Sequence, residues 1–312
     1  MNTLVIIGNG FDLNIGLKTS YRDFMESPEC FALINNRNNY LLNRIFNNFK
    51  LQNWVDIEAE LKSFARDFNG KSGDYKKHFK IEYNEFIDAF MGYMFRVEDG
   101  INGDENVVLK NSLAARLLRT ISLHPLKYDI FSFNYTDLNK LATASGCKKS
   151  LHYQHMHGSL AEKSIIIGFE DNVNNVGDFC FMIKTFSRSY ASHYLRRALQ
   201  KARDVIIFGH SLGTTDYQYF SNFFLEKSSL DLLPEKSVKI SIVTANEDSK
   251  LDILEQLRRM NNNQTNLLFD QNEVNIYCSQ DYKSQIYFHH FLEGLRRKDE
   301  VESLILGDKV KK

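Results

Sequence analysis

Residues 204–216 read DVIIFGHSLGTTD, an apolar run that stops at a glycine and opens into a polar turn. A short apolar segment bounded in this way predicts a strand buried on both faces of a parallel sheet. Within it, GHSLG satisfies the G-x-S-x-G pattern of a serine nucleophile on a strand-to-helix turn. The same residues also suit a turn whose backbone N–H groups and hydroxyl meet a phosphate. The choice between these readings depends on what ends the other strands.

Working outward, TLVII (3–7) runs into GNGFDLNIGL, and KYDIFSFN (127–134) into YTD. SLHYQHMHG (150–158) ends at His157-Gly158, and VKISIVT (238–244) meets ANEDS. SIIIGF (164–169) and EVNIYCS (273–279) are further apolar segments, and ASHYLRRALQKARD and DSKLDILEQLRRMNN between them have helical spacing. Strands alternating with helices predict an α/β fold, a Rossmann-like and mainly parallel sheet covered on both faces. Such sheets bind ligands at the carboxyl ends of their strands. The candidate site is therefore Gly8, Asn9, Gly10 and Asp12; Asn134; His157; Gly209, His210, Ser211 and Asp216; and Asn246. Gly8 and Gly10 suit either a phosphate-binding turn or simply a tight one.

Residues 21–124 differ in character. FNNFKLQNWVDIEAELKSFARDF, FKIEYNEFIDAFMGYMFRV and VVLKNSLAARLLRTIS carry apolar residues every three or four positions, as at Phe79, Tyr83, Phe86, Phe90 and Met94. They predict a large all-helical insertion over the carboxyl edge of the sheet. The core is then 1–20 with 125–281, and 282–312 form a closing helix and tail. In WVDIE (54–58), Trp54, Ile57 and Leu61 form the apolar side of a helix, and Asp56 and Glu58 read as solvated acids.

Lys plus Arg equals Asp plus Glu at 39 each, so the chain advertises no nucleic-acid footprint. No apolar run approaches the roughly 18 residues of a membrane span. The opening MNTLVIIGNGFD reads as a first strand rather than a signal peptide. Cys30, Cys147, Cys180 and Cys278 are far apart and form no C-x-x-C, so free thiols in a cytoplasmic protein are expected. His152, His155 and His157 alternate as strand residues do, which puts His155 and His157 on one face. No carboxylate stands at ligand spacing, and no metal is expected.

The serine-nucleophile reading requires an acid and then a histidine downstream. Asp270 or Asp281, followed by His289 or His290, could supply them, but QIYFHHFLEGL reads as a helix. It also leaves GNGFD, FNYT and Asn246 without a role, so Ser211 is expected to contact a phosphate or ribose.

IIGNGFDLNIGLKTSYRDF, WVDIE, FNYT, HMHGSL and IIFGHSLGTTD, in that order, resemble the AbiH family of bacterial abortive-infection proteins. The resemblance implies anti-phage defence, with a phage-derived trigger or partner defence protein and scope for a homo-oligomer. The motif order is also similar, more distantly, to the NAD-binding core of sirtuins and sirtuin-like defence NADases. That likeness implies NAD as substrate, with Asn134 and His157 catalytic. Gly8, Gly10, Gly209 and Ser211 would hold the diphosphate region and Asn246 the adenosine ribose. Asp12 stands where the sirtuin pattern has serine, Thr136 where it has aspartate, and the paired C-x-x-C module is absent. Cleavage of NAD is accordingly favoured over protein deacylation. A nucleotide-sensing module and a Ser211 hydrolase are the alternatives.

Overall fold

The structure, a computed structural model of the 312-residue chain, describes residues 3–36, 39–52, 56–71, 74–103, 108–171, 173–187, 190 and 192–310. Trp54 lies outside the described residues. The chain opens with β1 (Thr3–Ile7) and α1 (Asn9–Ile15), then runs through α2 (Tyr21–Met25), α3 (Pro28–Asn36), α4 (Tyr40–Gln52), α5 (Ile57–Phe68), α6 (Asp74–Gly103) and α7 (Leu113–Ile121). It continues with β2 (Tyr128–Ser132), α8 (Leu138–Ala144), β3 (Tyr153–His155), β4 (Gly158–Ser159) and β5 (Ser164–Ile165). The remaining elements are α9 (Ser192–Lys201), β6 (Asp204–Phe208), α10 (Tyr217–Lys227), β7 (Lys239–Thr244), α11 (Glu247–Met260), α12 (Thr265–Gln271), β8 (Glu273–Cys278) and α13 (Tyr282–Val310).

Six strands form one sheet in the order β3-β2-β1-β6-β7-β8, and every neighbouring pair is parallel. The alternation along β1 explains why its run is wholly apolar. Val5 and Ile7 pack against residues of α1, α7, α8 and α13, while Leu4 and Ile6 pack against α9 to α12 on the opposite face. From β1 the sheet grows through β2 and β3 on one side and through β6 to β8 on the other. The crevice between the ends of β1 and β6 is therefore the topological switch point, where open parallel sheets bind ligands. Among the described residues, no helix is long and apolar enough to cross a membrane.

The helical unit has its own aromatic core. Phe64 stacks on Phe68 at 4.7 Å and meets Phe79 edge-on at 4.7 Å. Phe24, Phe86 and Phe90 continue the cluster, which reaches Tyr135 after β2 and Phe169 and Phe179 after β5. The unit thus lies over the carboxyl side of the sheet. In α7, Leu113, Leu117, Leu118 and Ile121 join the sheet's own core, so the separate helical cluster is built from α2 to α6. A strongly one-sided helix has the same periodicity whether it covers a sheet or another helix.

Two expected strands also shrink. SLHYQHMHG pairs with the sheet only at Tyr153–His155, and SIIIGF stays outside it, its Ser164–Ile165 pairing antiparallel with Gly158–Ser159. The cause is Gly158, whose φ of +79° turns the chain and whose missing Cβ would lie 1.6 Å from the Ser164 carbonyl oxygen.

Candidate functional site

The crevice is a cavity of about 450 Å³. Its lining includes Gly8, Asn9, Gly10, Asp12, Asn134, His157, Gly209, His210, Ser211 and Asp216, residues that the sequence scatters over more than two hundred positions. Asn246 does not line it. That side chain, at the end of β7, accepts hydrogen bonds from the Ser249 N–H and hydroxyl, both at 3.0 Å, and caps α11.

The glycines are explained by how closely two loops meet. Gly8 N–H donates to the Phe208 carbonyl at 2.9 Å, and Gly10 N–H to the Gly209 carbonyl at 2.8 Å. Gly209 has φ +66°, and a Cβ there would stand 2.2 Å from the Phe11 nitrogen. The turn after β1 and the turn after β6 are thus locked backbone to backbone. This close approach requires the glycines with or without a ligand.

Beside them lies a buried polar triad. Asn134 Nδ2 donates to Asp12 Oδ1 at 2.7 Å and to the Gly8 carbonyl at 3.1 Å, and the Thr136 hydroxyl donates to Asp12 Oδ2 at 2.8 Å. Burial pushes the Asp12 carboxyl up to about 7, against the opposing pull of the Thr136 and Asn134 hydrogen bonds. His155 Nδ1 lies 2.8 Å from the Asn134 carbonyl oxygen and helps fix that turn.

His157 points elsewhere. β3 ends at His155, and His157 packs edge-on against Phe133 at 5.1 Å, so the two histidines take separate partners instead of sharing a strand face. Its Nε2 is buried and faces Asp216 Oδ1 at 3.2 Å. Burial, and then the nearby Lys184 ammonium, hold His157 below the ordinary histidine range, in the neutral form that accepts a proton. His210 also packs edge-on against Phe133, at 4.3 Å. Its Nδ1 accepts the Leu212 N–H at 2.9 Å, which leaves the ring proton on Nε2, 3.4 Å from Asp216 Oδ2.

Ser211 is exposed, and its Oγ accepts the Gly213 N–H at 3.3 Å. The left-handed residues of this turn are Gly209 and Leu212, and α10 begins only at Tyr217, unlike an elbow that strains the serine directly before a helix. His290 lines a groove with Thr3, Asp204 and Lys239, the first residues of β1, β6 and β7, at the opposite end of the strands. His289 pairs with Glu293 along α13 at 3.5 Å. The structure does not bring either histidine to Ser211.

Sequence reading missed Lys184, which is 0% exposed. Its Nζ meets Asp216 Oδ1 at 2.9 Å, Glu58 Oε2 at 3.0 Å and the Thr215 carbonyl at 3.2 Å. Glu58 is therefore a buried partner of a cation, contrary to its expected place as a solvated acid, whereas Asp56 caps α5 through the Ala59 N–H. Burial alone would raise Asp216, but Lys184 and then His157 hold it well below the usual carboxylate range. A lone lysine between Ile183 and Thr185 in IKTF carries no pattern that announces this burial.

A doubly covered parallel sheet with its polar crevice at the switch point makes this a Rossmann-like α/β protein. Residues 4–230 match the family described as Bacteriophage abortive infection AbiH, and the chain belongs to that family. The match runs from β1 through α10 and holds every crevice residue named above. The resemblance carried by GNGFD, FNYT, HMHGSL and GHSLGTTD is thereby borne out, and with it a role in phage abortive infection. No curated protein matches the chain.

Proposed function

We propose that the crevice binds NAD and cleaves its nicotinamide–ribose bond as the effector step of abortive infection. The observation that supports this best is the meeting of neutral His157 and the clamped Asn134 amide in one switch-point cavity. Its volume of about 450 Å³ falls within the usual range for small-molecule sites. The two departures from the sirtuin pattern also offset each other. Carboxylate and hydroxyl have traded places, and the Thr136 hydroxyl donates to Asp12 Oδ2 at 2.8 Å.

The nicotinamide nitrogen is cationic while bound to ribose. When the bond from N1 to C1′ breaks, its electron pair returns to N1 and a neutral base leaves without needing an acid. The site must stabilise the oxocarbenium-like ribose and deliver water to C1′. Asn134 Nδ2 is committed to Asp12 and Gly8, which leaves Oδ1 to accept from a ribose hydroxyl or the water. As the bond from oxygen to C1′ forms, the water proton passes to His157. The Ser211 hydroxyl faces the diphosphate, while the N–H groups of Gly8, Gly10 and Gly209 are taken by backbone carbonyls, so these glycines shape that end of the crevice without donating to it.

The test is incubation of the purified full-length protein with NAD, with and without extract of phage-infected cells, followed by chromatography for nicotinamide and ADP-ribose. Replacing His157 or Asn134 by Ala should lower turnover by about two orders of magnitude or more while NAD binding changes little. Wild-type rates in both variants would overturn the mechanism. NAD that binds without turnover, with protection still lost in His157→Ala, would favour the sensing module instead.

A further inference from the structure

We propose that Lys184 is a positioning residue of this crevice: its buried ammonium, anchored by Glu58 of the helical unit, fixes Asp216 against His157 so that the imidazole serves as the proton acceptor. The rate consequence rests on the NAD-hydrolase reading; the positioning does not.

The argument begins with valence. An ammonium has three N–H donors, and Lys184 has three acceptors at 2.9, 3.0 and 3.2 Å in Asp216, Glu58 and the Thr215 carbonyl. No donor is left for a substrate, so Lys184 acts through Asp216. The carboxylate is in turn held on both sides. Oδ1 lies between Lys184 Nζ and His157 Nε2, and Oδ2 faces His210 Nε2 at 3.4 Å. With Nε2 of His157 turned to Asp216, Nδ1 is the nitrogen left to take a proton. Among the described residues, Asp216, Lys184 and His210 are charged or titratable groups that act on His157, the Phe133 and Tyr219 rings pack against it, and the imidazole lines the crevice.

The lysine is itself held by the backbone. Its N–H donates to the Phe169 carbonyl at 2.9 Å, and Phe169 N–H donates to the Met182 carbonyl at 3.0 Å. Gly168 permits this approach, since a Cβ there would stand 2.0 Å from the Met182 oxygen. The sheet supplies Asp216, the segment after β5 supplies Lys184, and α5 supplies Glu58. The site is therefore complete only while the helical unit is docked.

Removing a cation and removing an anion act on His157 with opposite sign, and a merely structural role predicts no such pattern. In Lys184→Met the proton affinity of the His157–Asp216 pair rises, and the His157 midpoint moves up. In Glu58→Gln the ammonium faces one fewer carboxylate, so the midpoint stays or moves down. Lys184→Arg keeps the charge and should stay with wild type.

The experiment is an NMR titration of histidine-labelled full-length protein without NAD, paired with the pH profile of NAD hydrolysis. The expected result is an upward move in Lys184→Met alone. The acid limb of kcat should rise with it, and activity should return towards wild type at alkaline pH. The loss at neutral pH should be smaller than the roughly 10²- to 10⁴-fold expected for losing the acid–base group itself. If Lys184→Met does not fold, the other two variants carry the test. An upward move in Glu58→Gln or Lys184→Arg, or none in a folded Lys184→Met, overturns the proposal. A wild type that fails to hydrolyse NAD while the midpoints move as described would refute the hydrolase reading and leave the positioning intact.

Discussion

Asp12 offers a prediction whose sign and size both follow from the crevice. The residue is 1% exposed, and its carboxyl is pushed up to about 7 from an ordinary 3.8, mainly by burial. A carboxyl whose folded pKa is raised binds a proton more tightly folded than unfolded. Its contribution to stability is therefore fully present below the unfolded value and is lost as pH rises towards the folded one. A shift of about 3 units, at 1.36 kcal/mol each, amounts to about 4 kcal/mol over the whole window, and about 3 kcal/mol of that falls between about pH 5 and about pH 8. Asp12→Asn keeps the shape and both hydrogen bonds, since Oδ1 can accept from Asn134 and Nδ2 can donate to a rotated Thr136 hydroxyl. The variant should thus lack this pH dependence and be the more stable protein at about pH 8. Urea unfolding of both proteins at the two pH values measures it as a difference of differences, in which every other titrating group cancels. Two proteins whose stabilities change in parallel within about 0.5 kcal/mol would show that Asp12 is not the desolvated acid its burial implies.

Three further outcomes are expected. Gly209→Ala should destabilise the fold by more than about 3 kcal/mol or prevent it, because a left-handed φ and a 2.2 Å contact with the Phe11 nitrogen cannot both be relieved; a thermal melt within a degree or two of wild type would contradict this. Ser211→Ala should unfold within about 0.5 kcal/mol of wild type because the side chain is exposed, while NAD binding measured by calorimetry weakens. A fluorophosphonate probe should leave Ser211 unlabelled, and labelling that disappears in Ser211→Ala would restore the serine nucleophile.

What the sequence displays and what it conceals divide along a physical line. TLVII and DVIIF are legible because burial on both faces demands apolar residues at every position, and the glycines that follow mark where the backbone turns. Ten of the eleven candidate residues line the crevice because strand ends in a parallel sheet share one edge, so finding the strands is nearly finding the site. Asn246 shares that edge but stands one strand farther out, at the end of β7, where starting α11 uses its side chain.

Lys184 and Glu58 were invisible for the opposite reason. Nothing local buries a lysine; that burial is stable only because two carboxylates from distant segments arrive at the same place. Glu58 shows how misleading the local view can be. It stands one residue after Ile57, and both are buried, because α5 is enclosed on one side by its aromatic core and on another by the crevice. Helical periodicity separates an apolar stripe from a polar one, but it cannot tell whether the polar stripe meets water or a buried cation. Only the docking of the helical unit over the switch point decides this. The ion pair between Lys184 and Glu58 is thus a polar contact of the site that depends on both parts of the molecule.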